Sequence, residues 1–239
     1  MSLALRPIGH SEIGLVRKTN QDSGFVSPTL LFVADGMGGA AAGDLASAVT
    51  ANEVQHANDI PMAGKGALTA LRIAVVKANN DLAELILRAP ELDGMGTTIC
   101  GGIFDGQSLN IAHIGDSRGY LLRDGTLKRL THDHSYVQTL IDDGRLDEEG
   151  ALIHPHRSLI MKVLNGQPDI APDYFSVDLR AGDRIMFCSD GLCGLVRDTD
   201  IAERLTVADP DTAMTSLIKL AHDHGGTDNI TIILADVVE

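Results

Sequence analysis

The sequence has no tryptophan, and only 3 tyrosines and 5 phenylalanines in 239 residues. Its core must therefore be aliphatic. Three cysteines, Cys100, Cys188 and Cys193, are too few and too scattered for a disulfide framework, and no CxxC pair is present to hold zinc. Their apolar neighbours predict simple burial in a reducing compartment. No apolar run reaches the roughly 18 residues of a membrane span. The first seven residues lack the basic-then-apolar order of a signal peptide. The expectation is a soluble, cytoplasmic segment without membrane contact; a longer parent chain with an anchor beyond residue 239 stays compatible with it. Basic residues are scarce too: 19 Lys+Arg against 33 Asp+Glu leave a net charge of −14. That excludes a nucleic-acid binder working through a basic face and disfavours anionic membranes. The excess acid is either a solubility surface or a set of carboxylates that gathers cations.

What is present reads as one unbroken unit over residues 1–239, without linker, repeat or low-complexity tract. Short apolar runs predict strands near 3–10, 24–26 and 30–34, then three or four between 97 and 130 joined by turns at Asp105-Gly106 and Asp124-Gly125. The latter group is expected to form an antiparallel meander. Further strands are expected at 174–179, 184–189 and 229–237. Helical spacing predicts helices over 43–57, 66–88, 136–142 and 210–222, the second with a stripe through Leu71, Ile73, Val75, Val76 and Leu82. Residues 144–166 read as an irregular flap. Regular βαβ alternation is missing, so the class is α+β, with antiparallel sheets covered by helices.

Chemistry concentrates in aspartates at strand ends. Asp35 and Asp190 each close an apolar strand and are followed by Gly without a matching return strand. Asp116 follows the apolar strand 109–114, and Asp228 precedes 230–234. Strand ends and strand starts share an edge in antiparallel sheets, so these four carboxylates are expected to converge. Unpaired carboxylates at the rim of a core cost several kcal/mol in effective desolvation. A cation relieves that cost. Oxygen donors flanked by Gly, without His or Cys at ligand spacing, select Mg²⁺ or Mn²⁺ over Zn²⁺. Two such ions would lower the pKa of a shared water and clamp a phosphoryl oxygen. Arg17, beside Asn20 and Asp22, offers the planar fork that suits the phosphate.

Seven segments in order now carry a resemblance: 14–22 (GLVRKTNQD), 33–43 (VADGMGGAAAG), 94–98 (GMGTT), 114–121 (IGDSRGYL), 131–135 (THDHS), 188–192 (CSDGL) and 226–231 (GTDNIT). The chain resembles the bacterial metal-dependent serine/threonine protein phosphatases, the PPM or type 2C family. The resemblance implies a four-layer α-β-β-α sandwich with two central antiparallel sheets and metals at one end. It implies Asp35 as the carboxylate bridging two Mn²⁺ or Mg²⁺ ions, with the Gly36 carbonyl on the second. Asp190 and Asp228 would hold the first, and Asp22 would act through metal-bound water. Asp116 and Asp190 would contribute to a weaker third ion, with Ser158 as a softer candidate there. Asn229 would brace Asp228. Arg17 would bind substrate phosphate, and Asp35, Asp190 and Arg17 form the catalytic set. The implied substrates are phosphoserine and phosphothreonine proteins, including the Ser/Thr kinases such enzymes oppose; a monomer is expected.

One departure matters. Many relatives carry His after the Asp-Gly or after the paired glycines; here those positions are Met37 and Ala40. Neither side chain donates a proton, so the leaving-group acid stays unassigned, with metal-bound water as the default. His113, inside an apolar strand, is expected to be a satisfied core histidine. The alternatives weighed are a phosphatase of small phosphorylated metabolites and a catalytically inactive binding module with the same fold.

Overall fold

A computed structural model describes residues 2–38, 42–59 and 66–239. The chain runs β1 (Ala4–Glu12), β2 (Asp22–Val26), β3 (Leu30–Met37), α1 (Gly43–Val54), α2 (Ala67–Arg88), β4 (Gly96–Thr97), β5 (Ile99–Phe104), β6 (Ser108–Ile114), β7 (Arg118–Arg123) and β8 (Thr126–Arg129). It continues through α3 (Tyr136–Asp142), α4 (Glu148–Ile153), β9 (Asp173–Asp178), β10 (Arg184–Cys188), α5 (Asp190–Cys193), α6 (Asp198–Leu205), α7 (Pro210–Asp223) and β11 (Ile230–Val238).

Two antiparallel sheets form the centre. One has the order β1-β11-β10-β7-β8 and the other β2-β3-β5-β6-β9, with β4 paired to β3. Side-chain alternation divides each strand between two layers. On β11, Ile230, Ile232 and Leu234 pack under the helices, while Ile233, Ala235 and Val237 enter the space between the sheets. On β3, Leu30 and Phe32 face the helix side and Leu31 and Val33 face inward. The inter-sheet layer is aliphatic apart from Phe104, Phe175 and Phe187 and the buried Cys100. Helices α1 and α2 cover one sheet, and α6 and α7 contribute to the core on the other. This is the expected four-layer α-β-β-α sandwich. All three cysteines are buried and free, as their apolar neighbours predicted.

Three local expectations change. The strands between 97 and 130 do not form one meander: β5–β6 is a hairpin in one sheet and β7–β8 a hairpin in the other. The chain changes sheets at residues 115–117, which carries Asp116 to the junction. Helix α2 buries Ala67, Ala70, Leu71, Ala74, Val75, Ala78 and Leu82. Ile73 and Val76, placed in the stripe from their hydropathy, are exposed, because they fall between the buried positions, which recur at three- and four-residue spacing. The flap is not irregular throughout: Asp147 caps α4 by accepting from the Gly150 amide at 2.7 Å.

The Asp124-Gly125 turn behaves as read. Both residues have positive φ, 51° and 74°, the combination a two-residue hairpin of matching twist demands. Among the described residues, no helix is long and apolar enough to cross a membrane.

Candidate metal and phosphate site

Strand register assembles the site. Asp22 opens β2 and is the register partner of Asp35 near the end of β3. The Asp35 backbone is fixed on both sides. Its amide donates to Thr98 Oγ1 at 2.9 Å, and its carbonyl accepts from Thr97 Oγ1 and the Thr98 amide, each at 2.9 Å. Thr98 Oγ1 also pairs with Ser117 Oγ at 2.7 Å, tying the Asp35 strand to the turn that carries Asp116. Gly36 must lack a side chain: a Cβ there would stand 2.0 Å from the Gly43 carbonyl oxygen.

Asp190 opens α5 where β10 ends. A Cβ on Gly191 would stand 1.9 Å from the Asn229 carbonyl oxygen, so the Asp190 turn and the Asp228-Asn229 turn pack backbone against backbone. Asn229 Nδ2 donates to the carbonyls of Ile13 (3.0 Å) and Thr19 (2.9 Å), and its Oδ1 accepts from the Gln21 amide (2.9 Å). The Asn229 amide also donates to Asp228 Oδ1 at 2.9 Å. Asn229 thus braces Asp228 and, beyond that expectation, clamps the loop that presents Arg17. Arg17 Nη2 donates to Asp228 Oδ2 at 2.5 Å.

The electrostatics are crowded. Burial, followed by the charges of Asp22, Asp190, Asp116 and Asp228, holds the Asp35 carboxyl well above the usual carboxylate range. Burial pushes Asp22 up to about 7, against hydrogen bonds from Thr231 and Ser189. Burial and the charge of Asp228 push Asp190 up to about 6, with the adjacent Asp35 carboxyl and Arg17 opposing the shift. Asp116 is raised by burial and then by Asp190. The Asp228 partner raises Arg17.

The structure therefore brings Asp22, Asp35, Asp116, Asp190, Asp228 and Arg17 into one neighbourhood. A cavity of about 210 Å³ is lined by Arg17, Asp116, Arg157, Ser158, Asp190 and Asp228. A second, of about 370 Å³, adds Asp35 and Gly36 and shares Arg17, Ser158, Asp190 and Asp228 with the first. Met37 lines this second space beside Asp35 and Gly36, whereas Ala40 lies outside the described residues.

The donor set suits hard divalent cations. It consists of carboxylate and carbonyl oxygens, and buried Asp22 Oδ1 and Asp116 Oδ1 have no hydrogen-bond partner. Among the described residues, no three Asp, Glu, His or Cys side chains close into a tight cage. An open ring of carboxylates matches ions that keep several waters rather than a dedicated all-protein shell.

Sequence reasoning missed several supporting residues. Ser189 Oγ donates to Asp22 Oδ2 at 2.7 Å and accepts from the Thr231 amide at 3.0 Å. Its only sequence signal was a hydroxyl beside Asp190. Arg118 holds Asp133 through Nε and Nη2 at 2.7–3.0 Å, joining the Asp116 turn to the 131–135 segment. His134 links the same turn to the flap: its Nδ1 accepts from the Gly115 amide, and its carbonyl from the Met161 amide.

A two-sheet sandwich with an acidic, arginine-bearing edge offers the oxygen donors that hard divalent ions take and a guanidinium suited to phosphoryl groups. The chain belongs to the protein phosphatase 2C family, whose model matches residues 17–221. It is 44% identical over 239 residues to the serine/threonine protein phosphatase PstP of Mycobacterium tuberculosis, all of this chain and 46% of that protein. The chain thus spans about half the length of that relative. It is 33% identical over 232 residues to the serine/threonine phosphatase stp of Listeria monocytogenes, 93% of this chain and 92% of that one. The catalytic domain of PstP, solved with two manganese ions, superposes with a TM-score of 0.92 at 43% identity, covering 99% of this chain and all of that one.

Proposed function

We propose that residues 1–239 form a catalytic unit that hydrolyses phosphoserine and phosphothreonine on proteins, Ser/Thr kinases among them, with 144–166 as its flap. The observation that carries this reading is the convergence of five aspartates on one edge beside Arg17, in a chain of the protein phosphatase 2C family. Manganese in the PstP catalytic domain supports the choice of cation.

Asp35, the Gly36 carbonyl, Asp190 and Asp228 would hold two Mn²⁺ or Mg²⁺ ions, with Asp22 behind them and Asp116 beside a weaker third position. Such ions supply Lewis acidity that makes water nucleophilic near neutral pH and offsets charge on phosphoryl oxygens. The protein's own groups do the rest. Arg17 leaves Asp228 to grip the phosphoryl oxygens with its planar fork and orients the ester for in-line attack. Asn229 holds the Arg17 loop in place. The Thr97, Thr98 and Ser117 hydroxyls keep Asp35 and Asp116 at a fixed separation. Met37 follows Asp35-Gly36 and carries no proton for the leaving alkoxide.

Purified protein with Mn²⁺ is expected to hydrolyse phosphothreonine peptides, and EDTA to abolish the reaction. Failure with every divalent ion tried overturns the assignment.

A further inference from the structure

The arginines around the cleft differ in how they are engaged. Arg118 is held by Asp133, Arg129 by Glu148 and Arg197 by Asp200. Arg157 is not: its guanidinium makes no hydrogen bond or ion pair among the described residues. It is exposed on the flap, yet close enough to Asp190 to favour that carboxyl's charged form.

Its position is specific. Arg157 lines the inner cavity together with Arg17, Asp190 and Asp228. It also lines an outer groove of about 520 Å³ whose walls include Leu152, Ile153 and Leu195. The outer groove thus leads away from the phosphate position, and Arg157 stands at the junction. The groove carries apolar surface next to the cleft, with Ile153 82% exposed. An uncommitted cation at such a junction fits an anionic group one residue removed from the phosphate.

We propose that Arg157 is a specificity-determining residue, reading an acidic side chain adjacent to the phosphoresidue of an extended substrate segment. The proposal rests on the phosphatase reading above and narrows its substrate class. An exposed loop arginine whose fork makes no hydrogen bond can swing onto a carboxylate without breaking an existing pair; it gives up only its longer-range attraction to Asp190.

The test compares phosphothreonine peptides with Glu, Ala or Lys beside the phosphoresidue, on either side, and p-nitrophenyl phosphate, all with Mn²⁺. Wild type is expected to favour the Glu peptide over the Ala peptide in kcat/KM by about two- to fivefold, the range for a solvent-exposed ion pair. In Arg157→Ala that ratio falls to about one, and in Arg157→Glu the Lys peptide overtakes the Glu peptide. A ratio unchanged by Arg157→Ala overturns the proposal. So does an equal loss on every peptide and on p-nitrophenyl phosphate, which would make Arg157 a phosphate contact. If wild type hydrolyses none of these substrates, the phosphatase reading itself falls, and the proposal with it.

Discussion

Arg17 and Asp228 are joined at 2.5 Å, so a guanidinium sits on one of the carboxylates proposed to hold metal. The pair is half-exposed on the Arg17 side, and such pairs contribute about 0.2–1 kcal/mol. A divalent ion held through Asp228 Oδ2 would compete with Arg17 for that oxygen, and releasing Arg17 would free its fork for phosphate. Two opposite effects follow from Arg17→Ala. Titration calorimetry should show Mn²⁺ binding about 1.5- to 5-fold tighter, because the competing cation is gone. Steady-state kinetics should show a raised KM with a smaller change in kcat, because phosphate binding is lost. Weaker Mn²⁺ binding in the variant would refute the competition.

Asp190 is placed among the carboxylates of Asp35 and Asp228, and its burial makes its charge costly without a cation. Asp190→Asn should leave the metal-free protein as stable as wild type or more so. In wild type, Mn²⁺ at 100 times its Kd should add about 2.7 kcal/mol. That corresponds to a rise of about 5–10 °C in melting temperature for a chain of this length. The variant should show little of that rise and almost no hydrolysis. A full thermal response in Asp190→Asn would remove Asp190 from the ligand set.

Ser189 connects Asp22 to β11 through two hydrogen bonds, and it is fully buried. Removing its hydroxyl leaves Asp22 Oδ2 and the Thr231 amide short of partners, while Asp22 Oδ1 is already unpaired. Ser189→Ala should destabilise the metal-free protein by about 1–3 kcal/mol, read from urea midpoints. An unchanged midpoint would mean that water or a rotated Asp22 replaces the hydroxyl at no cost.

The elements were legible where physics is local. The strand through Leu30–Ala34 was visible in its run of apolar residues, and the Asp124-Gly125 hairpin in its turn chemistry. The convergence of Asp35, Asp116, Asp190 and Asp228 followed from strand ends sharing an edge. Sheet membership did not follow, since β5–β6 and β7–β8 have the same local pattern and only long-range pairing separates them. Nor did the buried face of α2, which runs through alanines at helical spacing and leaves Ile73 and Val76 outside it despite their hydropathy. Ser189, Thr98 and Ser117 were invisible as supports, because a hydroxyl's role depends on what tertiary packing puts within about 3 Å of it. Asn229 was half-read: its contact with Asp228 is sequence-adjacent, but its clamp on the Arg17 loop spans more than 200 residues of chain.

His113 was expected to be a satisfied core histidine, and it is satisfied on one side only. Nε2 pairs with the His132 carbonyl at 3.0 Å, whereas Nδ1 is buried without a partner. The ring stacks on His134 with centroids 5.0 Å apart. Burial, followed by the neighbouring His134, pushes its pKa down to about 4. In the unfolded chain the value returns to about 6.5. Between these values the unfolded chain binds a proton that the folded protein refuses. The contribution of neutral His113 to stability is therefore fully present above about pH 6.5 and is lost as pH falls toward 4. The full window is worth at most about 3 kcal/mol, at 1.36 kcal/mol per pH unit. His134 adds to the slope in the same direction, because burial also lowers its pKa. Over the same range the raised carboxyls of Asp22, Asp35, Asp116 and Asp190 act in the opposite direction, so the test is the difference between two urea-midpoint profiles measured from pH 7 to pH 4. As pH falls, the wild-type midpoint should drop relative to that of His113→Gln, which keeps a donor for the His132 carbonyl but does not titrate. Equal slopes in the two proteins would show that His113 titrates alike in the folded and unfolded chain, with water reaching Nδ1.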